Sequence, residues 1–371
     1  MNRGLTSFRA WAFLAVFLFH FEEGIFPIGY LGVQAFFVLS GFLLTPILVR
    51  MKEDLPAQKF FINFYGRRIL RIFPLYYLYL LGVLLLSLLI VNMDNYYGIP
   101  EIDRFIQQIP WSFTYAYNFF HASIFYEHTP LVTHFWSLAV EEQFYLIWPV
   151  LILLVKQKHL KVFLLVTIFL GPVLRFFIAV ITAGGKFVFF AQSVDLVIYV
   201  LPFSHIDAFA LGGYFALYQS SGGSKSSIRV LILAFSSILL GYFTQYVSTG
   251  YIGITTLGYA PYMREQYIWG YSLINLVFSG ILIQIRDGYF FSFLFDNTLL
   301  HYLGKISYGL YVFHYPMILL IKNITPDLPF IIRLLMALLA TIFMSAISYE
   351  LFEKRFIDMK DKFFKKKLPS H

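Results

Sequence analysis

A chain of 371 residues that is 59% hydrophobic and 20% aromatic, with only 13% charged residues and a mean hydropathy of +0.71, is too apolar for a water-soluble domain. The absence of cysteine excludes disulfides, a thiolate nucleophile and a thiolate metal site, so any chemistry rests on other groups. Much of the net charge of +8 sits in two blocks, Arg50 to Arg71 and Lys354 to Lys367, as short loops facing the cytoplasm require.

Apolar runs of about 18 residues or more recur along the chain, each long enough to cross a hydrocarbon core of roughly 30 Å at about 1.5 Å per helical residue. Runs such as LYYLYLLGVLLLSLLIV are apolar on every side, which sets aside a membrane β-barrel with its alternating strands. The first run, in MNRGLTSFRAWAFLAVFLFHF, follows basic residues but precedes no small-residue cleavage site, and reads as a retained span. Ten helical spans are expected, near 5–22, 30–49, 70–92, 135–155, 162–182, 203–219, 229–247, 268–285, 300–321 and 331–352. The expected fold is therefore all-α, a polytopic membrane bundle of about ten transmembrane helices over residues 1–356, with a basic cytoplasmic tail at 357–371. Lys186, Asp195, His205 and Asp207 interrupt the apolar pattern between 183 and 219, where one short or broken helix is to be added or lost. Gly184-Gly185 and Ser220 to Ser224 are expected loops, and no long linker or internal repeat is visible.

Every second loop is basic. Arg3 and Arg9, then Arg50 to Arg71, then Lys156, Lys158 and Lys161, then Lys225 and Arg229, then Arg286, then the Lys-rich tail all fall on one side. This orientation puts both termini in the cytoplasm and makes the chain a multi-pass protein of the plasma (inner) membrane. The loops 93–134 and 248–267, poor in Lys and Arg and rich in aromatic residues, then face outward. Their rings suit interfacial anchoring first, and can also stack on sugars.

Arg9 and His20 lie eleven positions apart in the first span, within about 20° of one helical face and separated by a rise of about 16 Å. A guanidinium holding phosphate at the cytoplasmic mouth and an imidazole acting deeper in the same groove would fit an elongated donor such as acyl-CoA. The competing reading makes Arg9 a boundary charge and His20 a contact between helices. In the fourth span, His134, Ser137, Glu141 and Tyr145 form one polar stripe at helical spacing. Glu141 and Glu142 lie about two turns into the membrane, where ionisable groups are expensive; function competes there with pairing to a buried Arg. Arg67 and Arg71, at i and i+4, are placed to bind donor phosphates or simply to anchor the third span. Arg175 and Asp207 are expected to form a structural ion pair. Ser307, Tyr311 and His314 form a second stripe, lining a chamber or bonding neighbouring helices.

Several segments carry a resemblance to a known family. Arg9 to His20 resembles the R-x10-H signature of the membrane-bound acyltransferase-3 family, and Gly32 to Phe42 (GVQAFFVLSGF) is similar to that family's second-helix motif. Arg67 to Pro74 (RRILRIFP), His134 to Tyr145 (HFWSLAVEEQFY), Ile306 to Pro316 (ISYGLYVFHYP) and Tyr349 to Phe356 (YELFEKRF) continue the series in the family's order. The resemblance implies an enzyme that O-acylates cell-envelope polysaccharides or related acceptors. Acetyl is the first expectation for the group moved, with acyl-CoA (acetyl-CoA) as donor cosubstrate and a sugar or glycan as acceptor. It implies His20 as base or nucleophile with Glu141 and Glu142 in support, the carboxylate of Glu141 orienting the imidazole. Arg9, Arg67 and Arg71 then hold the donor, and His134, Ser137, Tyr145, Tyr311 and His314 line the substrate chamber. Beyond the lipid bilayer, donor and acceptor, no metal, permanently bound cofactor or nucleic-acid partner is expected. One departure is His205, two residues before Asp207, where the family often has Arg; it puts that position's role in doubt. The chain ends soon after its tenth span without the extracytoplasmic domain some members carry, so a stand-alone transferase is expected. A transporter or flippase of a polar lipid or sugar is the alternative, because polar stripes inside a bundle also build a pathway, and an assembly subunit is a third reading.

Overall fold

The structure, a computed structural model, describes residues 2–93, 98–184, 189, 193–219, 224–250, 252, 266–288 and 292–364. Among these the regular elements are all helical. They are α1 (Arg3–Phe21), α2 (Leu31–Asp54), α3 (Ala57–Val91), α4 (Pro100–Phe113), α5 (Tyr117–His121), α6 (Phe135–Leu154), α7 (Leu160–Ala183) and α8 (Val194–Val200). There follow α9 (Ile206–Tyr218), α10 (Ser224–Thr249), α11 (Gln266–Asp287), α12 (Ser292–Phe295), α13 (Thr298–Lys305), α14 (Ser307–Ile324), α15 (Phe330–Ser348) and α16 (Lys354–Phe363). Most of the expected loops at 184–185, 220–224 and 248–267, and the tail beyond Phe364, lie outside the described residues.

Eight helices among the described residues are long and apolar enough to cross a bilayer, or nine if one bent pair counts as a span. This agrees with an all-α bundle of about ten spans, and the break falls where a short or broken helix was expected, between 183 and 219. The sixth span is a broken one, in which α8 and the segment Pro202–Tyr218 meet at 71°. Leu201 is extended there and Pro202 cannot continue the hydrogen-bond ladder. The ninth is divided at Ile306 into α13 and α14, and α14 carries Ser307, Tyr311, His314 and Lys322, which lower its hydropathy. The basic loop expected at Arg50 to Arg71 is also helical: α2 runs to Asp54, only Leu55 and Pro56 intervene, and α3 starts at Ala57. The segment expected to face outward, 93–134, contains α4, whose buried Ile102, Phe105, Gln108 and Ser112 recur every three or four residues and make an amphipathic helix.

α2 packs closely on α9. A Cβ on Gly41 would strike the backbone of Phe209, and one on Gly212 the backbone of Val38, so these helices touch because both positions lack side chains. The expected ion pair is present and fully buried. Arg175 Nη1 and Nη2 donate to the two oxygens of Asp207 at 3.1 and 3.0 Å, and its other donors reach Ser272 Oγ and the carbonyls of Ser204 and Ile268. His205, beside the bend, donates from Nε2 to the Tyr199 carbonyl at 2.8 Å and accepts at Nδ1 from Gln34 Nε2 at 2.9 Å. It is thus a neutral joint between α2 and the broken span.

With both charges desolvated, removing one partner leaves the other uncompensated. Arg175→Met should cost about 3–5 kcal/mol, read as a fall in the unfolding temperature of the detergent-solubilised protein. Arg175→Met/Asp207→Leu should regain part of that loss; an unaltered unfolding temperature for the single variant would contradict the assignment.

Candidate active site

The site is built on the seam between α6 and α14. Pro316 has no N–H, so the carbonyl of Val312, four residues earlier, has no intrahelical donor. His134 Nε2 supplies one at 3.2 Å. One residue before, the Tyr311 hydroxyl meets Ser137 Oγ at 2.5 Å, and Ser137 Oγ in turn donates to the His134 carbonyl at 3.1 Å. The two polar stripes read from the sequence therefore face each other.

His314 and His20 continue this network. His314 Nδ1 lies 2.7 Å from the Tyr311 carbonyl, which only accepts, so Nδ1 carries the hydrogen. In the neutral ring Nε2 is then an acceptor, and it lies 2.7 Å from His20 Nδ1. His20 must donate from Nδ1, which leaves the lone pair on its Nε2 free. The ring is held in plane by Tyr315, stacked at a centroid distance of 4.5 Å and an interplanar angle of 4°. The Tyr315 hydroxyl meets His128 Nε2 at 2.8 Å. Burial and the neighbouring Arg104 push His128 below the ordinary imidazole range, against the pull of Glu101, so that ring is neutral at pH 7.

On the Arg9 side of Tyr311 lies a cavity of about 100 Å³. Of the residues read from the sequence, Arg9, Arg71, Ser137, Glu141, Glu142, Tyr145, Ser307 and Tyr311 line it; His20, His134, His314 and Arg67 do not. Arg9 and His20 thus share a helix face but do not open into one continuous groove. Tyr311 stands between them, its ring against the cavity and its carbonyl on His314. Glu141 does not orient His20. Its carboxylate accepts from the hydroxyls of Ser40 and Tyr145, and the place beside His20 Nδ1 belongs to His314. Arg67 is corrected as well, since it donates to the Phe364 carbonyl and ties α3 to the C-terminal helix. Arg68 takes its place at the cavity, with its guanidinium over the Tyr145 ring at 5.3 Å.

The residues missed were close to those named. Ser40, Arg68 and Tyr315 sit inside motifs already recognised, and helical continuity through Arg67 to Arg71 would have put Arg68 on the cavity face with Arg71. His128, in a loop far from Tyr315 in sequence, carried no such signal.

A family model described as an acyltransferase domain matches residues 2–350. O-acetyltransferase OatA of Staphylococcus aureus is 26% identical over 366 residues, covering 94% of this chain and 56% of that protein. Peptidoglycan O-acetyltransferase OatA of Listeria monocytogenes is 28% identical over 370 residues, covering 94% and 54%. The chain therefore spans about half the length of these relatives. No solved structure matches significantly. With matched sequence running through every helix of the site from Arg9 to Pro316, the chain belongs to the acyltransferase-3 family.

Proposed function

We propose that this protein is a membrane O-acyltransferase that moves an acyl group, acetyl in the first place, from cytoplasmic acyl-CoA to a hydroxyl of a cell-envelope sugar. The observation that carries the reading is the ordered chain from the Tyr311 carbonyl through His314 to His20, which leaves one basic nitrogen free. An arginine-lined cavity adjoins it through Tyr311. Peptidoglycan, the acceptor named for the Listeria relative, is the first acceptor to test.

In this mechanism His20 Nε2 takes the proton of the sugar hydroxyl as its oxygen attacks the thioester carbonyl. The new C–O bond forms, the C–S bond breaks, and the proton passes to the departing thiolate. His314 serves as the positioning residue. It fixes the tautomer of His20 and shares the positive charge that develops on it, the part a carboxylate takes in a serine-hydrolase triad. Tyr311 has to swing from its bond to Ser137 for the thioester to reach the imidazole. The small inner cavity, walled by Val33, Phe36 and Leu138, suits a short acyl group.

The first test is acetyl-CoA turnover by the purified protein in detergent, with and without peptidoglycan fragments; a transporter or flippase has no need of it. His20→Ala should abolish transfer while leaving membrane insertion intact, and near-normal turnover in that variant would remove the central claim. His314→Ala should lower kcat by about a hundredfold with the donor KM within threefold, because it disturbs the base and not the donor cavity. A variant in which KM rises and kcat holds would place His314 in binding instead.

A further inference from the structure

We propose that His128 and Tyr315 form the acceptor subsite, a hydrogen-bonding pair that grips the sugar hydroxyl next to the one being acylated and so selects the edge that reacts. The inference rests on the transferase reading above. It starts from where His20 is open. His134 and His314 are fully buried, whereas His20 is half-buried and does not join the wall of the cavity on the Arg9 side. The acceptor therefore reaches it from another side. The open residues beside it there are Tyr315, half-buried against the His20 ring, and His128, which is exposed.

His128 lies in a stretch without regular structure, yet its backbone is fixed to α4. Arg104 donates from Nε to the Glu127 carboxylate at 2.8 Å and from Nη1 to the His128 carbonyl at 3.1 Å. Gln108 Nε2 donates to the Glu127 carbonyl at 2.7 Å, and Thr129 Oγ1 to the Glu101 carbonyl at 3.0 Å. Three successive residues are thus clamped to one amphipathic helix, and a loop side chain held in this way is presented at a fixed place. Nε2 of that side chain meets the Tyr315 hydroxyl at 2.8 Å.

In the neutral His128 ring one nitrogen donates and the other accepts. If Tyr315 donates to Nε2, the pair keeps the Nδ1 hydrogen and a lone pair on the phenol oxygen. If Nε2 donates, it keeps the phenol hydrogen and the Nδ1 lone pair. Either way one donor and one acceptor remain, which is what a sugar hydroxyl needs. Tyr315 lies over His20 with ring centres 4.5 Å apart, so one sugar ring can put a hydroxyl at His20 and its neighbour at the pair. The charged groups facing the pair are Glu23 on the Tyr315 side and Glu101 and Arg104 on the His128 side. Arg104 is already paired with Glu127, so two carboxylates remain, and they favour an uncharged sugar over an anionic polymer.

The test is acetyl transfer by the full chain in neutral detergent to methyl N-acetylglucosaminide and to its monodeoxy analogues. For the wild type, the analogue lacking the attacked hydroxyl should be inert. The one lacking its neighbour should lose about tenfold in kcat/KM, the worth of one hydrogen bond. In His128→Ala the parent sugar should fall by about the same factor and the neighbour-deoxy analogue no further, with His128→Gln, which keeps a donor and an acceptor, recovering most of the loss. The KM for acetyl-CoA should stay within about twofold, which reports that each variant is folded; should His128→Ala fail to fold, His128→Gln against the same analogues carries the comparison. An equal fall for parent and analogue makes His128 a structural strut and overturns the proposal. So do unchanged kinetics in His128→Ala, a donor KM that rises in step, or a wild type that prefers glycerol phosphate to the sugar. Saturation-transfer NMR with chitotetraose separates the two readings. A wild-type chain that contacts the oligosaccharide, loses that contact in His128→Ala and transfers no acyl group sinks the transferase reading and keeps the subsite. One that transfers acetyl with the same selectivity in both forms does the reverse.

Discussion

The seam between α6 and α14 is the constraint on which the site depends, because it is made of hydrogen bonds in a region where water offers little competition. Ser137 to Tyr311 at 2.5 Å and His134 to the Val312 carbonyl at 3.2 Å fix the rotation of α14 about its own axis. Pro316 makes this possible by removing the N–H that would otherwise occupy the Val312 carbonyl. Rotation of α14 by a few tens of degrees would carry His314 away from α1. The distance of 2.7 Å to His20 is therefore a consequence of bonds made one turn earlier.

Much of this was legible in the sequence, for a physical reason. In a bilayer-spanning chain polar residues are costly, so those that remain are concentrated where they bond one another, and their helical spacing shows which share a face. The stripes 134, 137, 141, 145 and 307, 311, 314 were visible on that ground, and so was the Arg175 to Asp207 pair. Spacing within one helix does not reveal the partner on another. It gave no means of knowing that Glu141 turns to Ser40 and Tyr145 while His314 turns to His20. The same blindness affected the boundaries. Basic residues between 50 and 71 read as a loop because charge marks the membrane edge, yet charge does not break a helix, and only Pro56 does so there.

That helical continuity decides which arginines serve the cavity. If the segment were a loop, any of Arg67, Arg68 and Arg71 could turn inward. As one helix it directs Arg68 and Arg71, three residues apart, to the cavity and Arg67 to the Phe364 carbonyl. The cavity face expected of a pair at i and i+4 is held by a pair at i and i+3, on the same principle of a shared face.

His205 shows how the fold absorbs a departure from the family's pattern. A permanent cation in that place would face Gln34 and the Tyr199 carbonyl near an Arg175 already committed to Asp207. A second guanidinium there would need a second anion, and Asp207 has both oxygens engaged by Arg175 and a further bond from Ser272. The neutral imidazole asks for one acceptor and one donor; the Tyr199 carbonyl beside the bend supplies the first and Gln34 of α2 the second. The substitution therefore changes the charge of the joint without leaving a polar group unpaired on the ring, and the broken span keeps its contact with α2 through Gly41 and Gly212.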